Sequence, residues 1–185
     1  MAKPSQVIIL VEDRRHQQFL RGYLRRVGLE PHAFRFVPTS SGTGSGEQWV
    51  RERFPIEVES YRRRQAETKL IVVIDADNRS VQERLAQLDQ KLREAGATPI
   101  RPRDEQIARL VPRRNVETWI LCLNGTPVDE ETNYKNDGHD WLRLIRSGIE
   151  TLYAWTRPHA PVPASCVASL QLGVVELGRL DFRAG

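Results

Sequence analysis

Apolar residues along this chain fall in two alternating rhythms up to about residue 125, and in one rhythm after it. "QVIILVE" (residues 6–12) is a short aliphatic run with β-branched residues, the pattern of a strand buried on both faces. Behind it Phe19, Leu20, Tyr23, Leu24 and Val27 recur at helical spacing, with arginines mostly between them, and Gly28 predicts the stop. "HAFRFVP" alternates apolar and polar residues and predicts a second strand ending at Pro38. "EQWVRERFPIEVESYRRRQAE" predicts a helix interrupted at Pro55, and "LIVVID" a further buried strand. A helix is expected from Ser80 to Ala95, with Val81, Leu85, Leu88 and Leu92 on one face and Gly96 at its end. "TPIRP" is a short strand candidate and Ala108 to Val111 another. Asn115 is placed to cap a helix that closes near Gly125.

The C-terminal third carries only the helical rhythm. "HDWLRLIRSGIETLYAW" and "PASCVASLQLGVVELGRL" are two amphipathic patterns separated by the proline-rich "TRPHAPVP". Strands alternating with helices, then helices alone, predict an α/β fold: a mostly parallel sheet with flanking helices and a helical C-terminal extension. The expected division is residues 1–125 for the α/β unit and 126–185 for the extension packed on it. The apolar residues of that extension, Trp141, Trp155, Leu170 and Val174 among them, serve either this packing or an interface between copies in a homo-oligomer.

Composition narrows the class. Of 185 residues, 39% are hydrophobic and 28% charged, as in a globular protein rather than a disordered or fibrous one. No apolar run approaches the roughly 18 residues of a membrane span, and "MAKPSQVIILVED" lacks a signal-peptide cleavage pattern, so a cytoplasmic protein without a membrane partner is expected. Cys122 and Cys166 lack metal-ligand spacing and read as free thiols. The net charge of +4 is modest, but nearly all the basic residues are arginine, and they cluster at Arg14, Arg15, Arg21, Arg25 and Arg26, at Arg62 to Arg64, and at Arg101, Arg103, Arg113 and Arg114. Guanidinium forks suit phosphate oxygens, which points toward nucleic acid. The loop "TSSGTGSGEQ" has neither a P-loop lysine nor a GxGxxG register, and reads as a flexible connector or as a backbone-amide surface that approaches phosphate.

The acidic residues carry the chemistry. In open α/β sheets ligands collect at the carboxyl ends of the strands, and both strong strands end there in acid: Glu12 after "VIILV", Asp75 and Asp77 after "LIVVI". If the two strands are neighbours, three carboxylates converge. Such a set suits Mg²⁺ or Mn²⁺, and a bound ion would relieve their mutual repulsion. The structural alternative for Asp77 is to cap the following helix.

A strand ending in glutamate, a helix, and a later hydrophobic strand ending in Asp-x-Asp resembles the Toprim fold of topoisomerases, primases, small RNA-maturation nucleases and overcoming-lysogenization-defect (OLD) nucleases. The resemblance covers roughly residues 6–125. It implies a Mg²⁺ site for phosphoryl transfer, with Glu12 matching the family glutamate and Asp75 and Asp77 its paired aspartates. "VPRRNVETWIL" is similar to a downstream segment of OLD-like proteins, which implies that Glu117 holds a second ion; read locally, Glu117 is a first-turn acid that complements the helix dipole. The same resemblance implies a lysine near the metals, and Lys135 in "NYKNDGHD" is the candidate. The expected activity is a metal-dependent endonuclease, with DNA favoured over RNA, in which Arg15, Arg79, Arg113 and Arg114 contact phosphate. No ATPase motif is present, so an OLD-like effector in phage defence would need its ATPase on a separate chain. Two other readings stand beside this one. "VIILVEDRRHQQFLRGYLRRVG" also looks like the opening of a response-regulator receiver domain phosphorylated on Asp75, and a Toprim module that binds nucleic acid or a partner without cleaving it fits the same residues.

Overall fold

The computed structural model describes residues 6–39, 44–64, 67–180 and 182. Within them the chain runs β1 (Gln6–Val11), α1 (Arg14–Arg26), β2 (Phe34–Phe36), α2 (Gly46–Arg63), β3 (Thr68–Val73), α3 (Val81–Glu94), β4 (Ile107–Leu110), α4 (Val116–Leu123), α5 (Trp141–Trp155) and α6 (Ala168–Arg179). The four strands form one parallel sheet in the order β2-β1-β3-β4. It is an α/β fold of the Rossmann-like kind, with helices over both faces of the sheet.

The aliphatic runs are continuous because each strand is covered on both sides. Val7, Ile9 and Val11 point into a core built with α1, α4, α5 and α6, while Ile8 and Leu10 point into a second core built with α2 and α3. The strand period of two therefore sorts one run between two cores. The helices α5 and α6 share the first core with the sheet, α5 packing on α1 and α4, and α6 on β4.

Local stops lie where their chemistry predicts. Gly28 (φ 92°) and Gly96 (φ 71°) follow α1 and α3 in the left-handed region, Ser80 and Glu83 form a capping box at the head of α3, and Asn115 caps α4. Three expectations fail. α2 runs unbroken through Pro55: burial of Val50, Phe54 and Val58 against the sheet outweighs the one backbone hydrogen bond that proline removes. "TPIRP" is not a strand, because the Thr98 and Pro99 carbonyls accept from the Arg62 guanidinium rather than from a sheet neighbour, and its prolines cannot donate. The last helix begins at Ala168, not at Pro163, since residues 164–166 turn on a hydrogen bond from the Cys166 N–H to the Pro163 carbonyl. Of the glycine- and serine-rich loop, residues 40–43 lie outside the described residues, as do residues 65–66 at the end of the predicted second helix.

Candidate metal centre

Sheet order decides where the acids meet. In the order 2-1-3-4 the chain leaves β1 to one side and β3 to the other, so the crevice beyond their carboxyl ends is the topological switch point, the usual ligand position in this class of sheet. Val11 pairs with Val73, so Glu12 and the Asp75 segment leave the sheet side by side. The Asp75 N–H donates to Glu12 Oε2 at 3.1 Å, locking the two ends together. On the other side of Glu12 the amino end of α2 comes so close that a Cβ at Gly46 would stand 2.3 Å from the Glu12 carbonyl oxygen. Part of the glycine-rich segment thus serves close packing against the acid-bearing turn.

Asp75 is fully buried and lies between two cations. Its Oδ1 is 2.9 Å from His16 Nε2, and its Oδ2 faces the Lys135 ammonium at 3.2 Å without a well-aligned hydrogen bond. His16 is likewise fully buried, and its Nδ1 lies 2.8 Å from Asp13 Oδ1. Asp13 also caps α1, accepting from the N–H groups of Arg15 and His16. One imidazole therefore bridges the acid after β1 to the acid after β3. Burial alone would push its pKa down, but the Asp75 charge and hydrogen bonds to both carboxylates hold it well above the ordinary histidine value. Asp13 is shifted the opposite way: burial raises it, yet the His16 contacts leave it well below the usual carboxylate range.

The other acids feel Asp75 as a like charge. Burial and the Asp75 charge push Glu12 up to about 7. Asp77 and Glu117 are raised too, first by burial and also by Asp75. The Lys135 ammonium lowers all three, and despite its own desolvation Asp75 first, then Glu12 and Asp77, hold its pKa above normal. The segment between α4 and α5 thus delivers one ammonium into a crevice of four carboxylates.

Asp77 adopts a left-handed conformation (φ 54°), which aspartate tolerates better than most residues. Arginines brace its turn. Arg113 donates to the Asp77 carbonyl (3.1 Å), Arg114 to the Asn78 side chain, and the buried Arg84 lies 3.7 Å from the Asp77 carboxylate while it also pairs with Glu47. Three of the arginines expected to contact phosphate thus have protein partners: Arg113, which also binds Glu131, Arg114, and Arg15, whose Nε lies 3.3 Å from Glu117 Oε1. Arg79 is exposed.

The donor chemistry fits a hard divalent cation. The acids present carboxylate oxygens: among the described residues Glu117 Oε2 is buried without a hydrogen-bond donor, and Asp75 Oδ2 has only the Lys135 ammonium at 3.2 Å. As the side chains lie, no three His, Cys, Asp or Glu groups among the described residues are gathered closely enough to hold an ion. Asp75, Glu12, Glu117 and Asp77 are the groups that would close on one.

The local sequence reading missed His16, Arg84 and Glu47. His16 had a visible signal: it stands three residues after the cap Asp13 and heads the apolar stripe of Phe19, Leu20 and Tyr23, an unusual place for a polar ring. Arg84 sits on the buried face of α3 beside Leu88. Compared with family models, curated proteins and solved structures, the chain matches none of them. The fold and the crevice define the class: a parallel α/β protein with an acid cluster at its switch point. No helix among the described residues is long and apolar enough to cross a membrane.

Proposed function

We propose that this protein is a Mg²⁺- or Mn²⁺-dependent nuclease that hydrolyses nucleic-acid phosphodiesters, DNA in preference to RNA. The observation that carries the reading is the grouping of Glu12, Asp77 and Glu117 around Asp75 at the switch point, each raised by burial and by the Asp75 charge although His16, Lys135, Arg84 and Arg15 partly offset it. Carboxylates still raised among such cations suit a site completed by a further, divalent one. Such an ion supplies Lewis-acid polarisation of the phosphoryl group and an activated water. The chain's own groups supply the frame. His16 and the Asp75 N–H fix the Asp75 and Glu12 carboxylates, Arg84 and Arg113 hold the Asp77 turn, and Lys135 adds positive charge where a phosphate would enter.

The test is incubation of purified protein with plasmid, single-stranded DNA and RNA in Mg²⁺, Mn²⁺ or EDTA. Cleavage is expected with either metal and not in EDTA, and Asp75→Asn or Asp77→Asn should lower it roughly a hundredfold or more. Cleavage that survives both substitutions rules the reading out. The Lys135–Asp75 ion pair gives some support to a receiver-like module phosphorylated on Asp75. Acetyl phosphate with Mg²⁺ would then add one phosphoryl group that Asp75→Asn abolishes. No mass gain is expected on the nuclease reading.

A further inference from the structure

Beside the acid cluster lies a groove of about 600 Å³, walled by the first turns of α1 and α4 and by the segment leading into α5. Its lining pairs an aromatic ring with cations. The Arg15 guanidinium lies 4.7 Å from the Trp141 ring centroid, and the His139 ring meets Trp141 edge-on at 5.2 Å. The acids of the wall are compensated from within: Asp13 by His16, Glu117 by Arg15 Nε, and Asp140 by capping α5 through the Arg143 N–H. Among the cations of the wall, Lys135 pairs with Asp75 and Arg15 with Glu117, whereas among the described residues Arg14 has no hydrogen-bond or ion-pair partner and is exposed at the groove. An exposed guanidinium that no protein group engages is free to take a phosphate oxygen.

Shape and chemistry select the ligand. The volume lies within the roughly 300–1,000 Å³ of small-ligand pockets, enough for one nucleotide. An aromatic ring stacked with a guanidinium is a platform that any unpaired base can extend, whereas bases in a duplex have no free face. We propose that this groove holds an unpaired nucleotide of a single strand, its base on the Arg15–Trp141 stack and its phosphate on Arg14, next to the phosphodiester presented to the acid cluster. The proposal rests on the nuclease reading and adds the substrate class: single-stranded or unpaired segments.

Binding can be measured without catalysis, by fluorescence anisotropy of labelled oligo-dT, oligo-U and a hairpin duplex of equal length in EDTA. At least one of the single strands is expected to bind more tightly than the duplex, and the two arms identify the preferred sugar. Trp141→Leu should weaken single-strand binding roughly tenfold or more while sparing the duplex. Because Trp141 also packs against the core, Arg14→Glu provides the second variant: it sits at an exposed, unpartnered position and should give a loss that grows as salt is lowered. Duplex binding as tight as that of both single strands, or an unchanged affinity in Arg14→Glu, overturns the proposal. The two readings fail separately. Metal-dependent cleavage that needs Asp75 but shows no single-strand preference rejects the groove alone, and Arg14-dependent single-strand binding without any cleavage rejects the nuclease alone.

Discussion

Two glutamates withdrawn from water, at opposite ends of the same sheet, are treated in opposite ways. Glu105 stands just before β4, at the amino end. Arg62 Nε and Nη2 reach its two oxygens at 2.6 and 3.1 Å, and the Arg101 N–H adds a third donor at 2.7 Å. Burial alone would raise its pKa, yet the Arg62 and Arg101 contacts leave it below the ordinary glutamate value. Glu12 follows β1, at the carboxyl end. Among the described residues its carboxylate accepts one hydrogen bond, from the Asp75 N–H, and burial together with the Asp75 charge pushes it up to about 7. The same residue type is a satisfied structural strut in one place and an uncompensated charge in the other. Where a fold leaves charge uncompensated, stability has been given up, and a site for a cation or substrate is the usual reason.

The comparison is broken most severely at His16, which holds the acid cluster in the state it has. His16→Leu should cost about 3–5 kcal/mol in urea unfolding, because it strands the fully buried Asp75 carboxylate with a single cationic partner. A loss under 1 kcal/mol would mean that the imidazole is not holding the two acids.

Next comes Glu105→Gln, which removes the charge-assisted pair with Arg62 and should cost roughly 1.5–3 kcal/mol. Its folded pKa is depressed, so its contribution is present above the unfolded value and is lost as pH falls. The difference between wild type and variant should therefore shrink in acid.

Glu12→Gln should have the opposite sign. The folded pKa of about 7 lies above the ordinary 4.5, so the folded protein binds this proton more tightly than the unfolded chain. The penalty of the charged form is then full above pH 7 and fades as pH falls toward 4.5. The variant should be more stable than wild type at pH 8 by on the order of 1 kcal/mol, with the gap closing by about pH 4.5, read as melting temperatures across pH. Equal melting temperatures at both pH values would erase the contrast with Glu105. Millimolar Mg²⁺ should raise the wild-type melting temperature at pH 8 more than that of Asp75→Asn, since only a ligand that binds the folded state stabilises it.

The smallest effect is expected at Arg63→Ala, which breaks the exposed Glu59–Arg63 pair along α2. Its cost should stay within about 0.5 kcal/mol, a baseline for ion pairs that water already screens.

Much of this architecture was legible from neighbours in sequence. Continuous aliphatic runs marked β1 and β3 because both faces of those strands are buried, a period of 3.6 marked α1 and α3 because burial on one helix face repeats with the helix, and Ser80, Asn115, Gly28 and Gly96 marked ends because capping acts over a few residues. Pro55 misled because local backbone chemistry predicts a break while the buried face of α2, visible only in the packed molecule, outweighs it. "TPIRP" misled because extended composition does not reveal that Arg62 takes the carbonyls a sheet partner would need.

From the residues alone it was legible that acids stand at the carboxyl ends of two buried strands: Glu12 and Asp75 directly continue short, β-branched aliphatic runs with the pattern of sheet interior. The tertiary structure decided that they face each other, that His16 bridges Asp13 and Asp75, that Lys135 reaches Asp75, and that Arg113 and Arg114 brace the Asp77 turn. The reason is range. Periodicity and capping act between residues a few positions apart, whereas His16 and Asp75 are separated by 59 positions and meet only because β1 and β3 are neighbours in the sheet. Electrostatic state follows from that meeting, since a carboxylate's pKa depends on which charges and how much water the fold leaves around it.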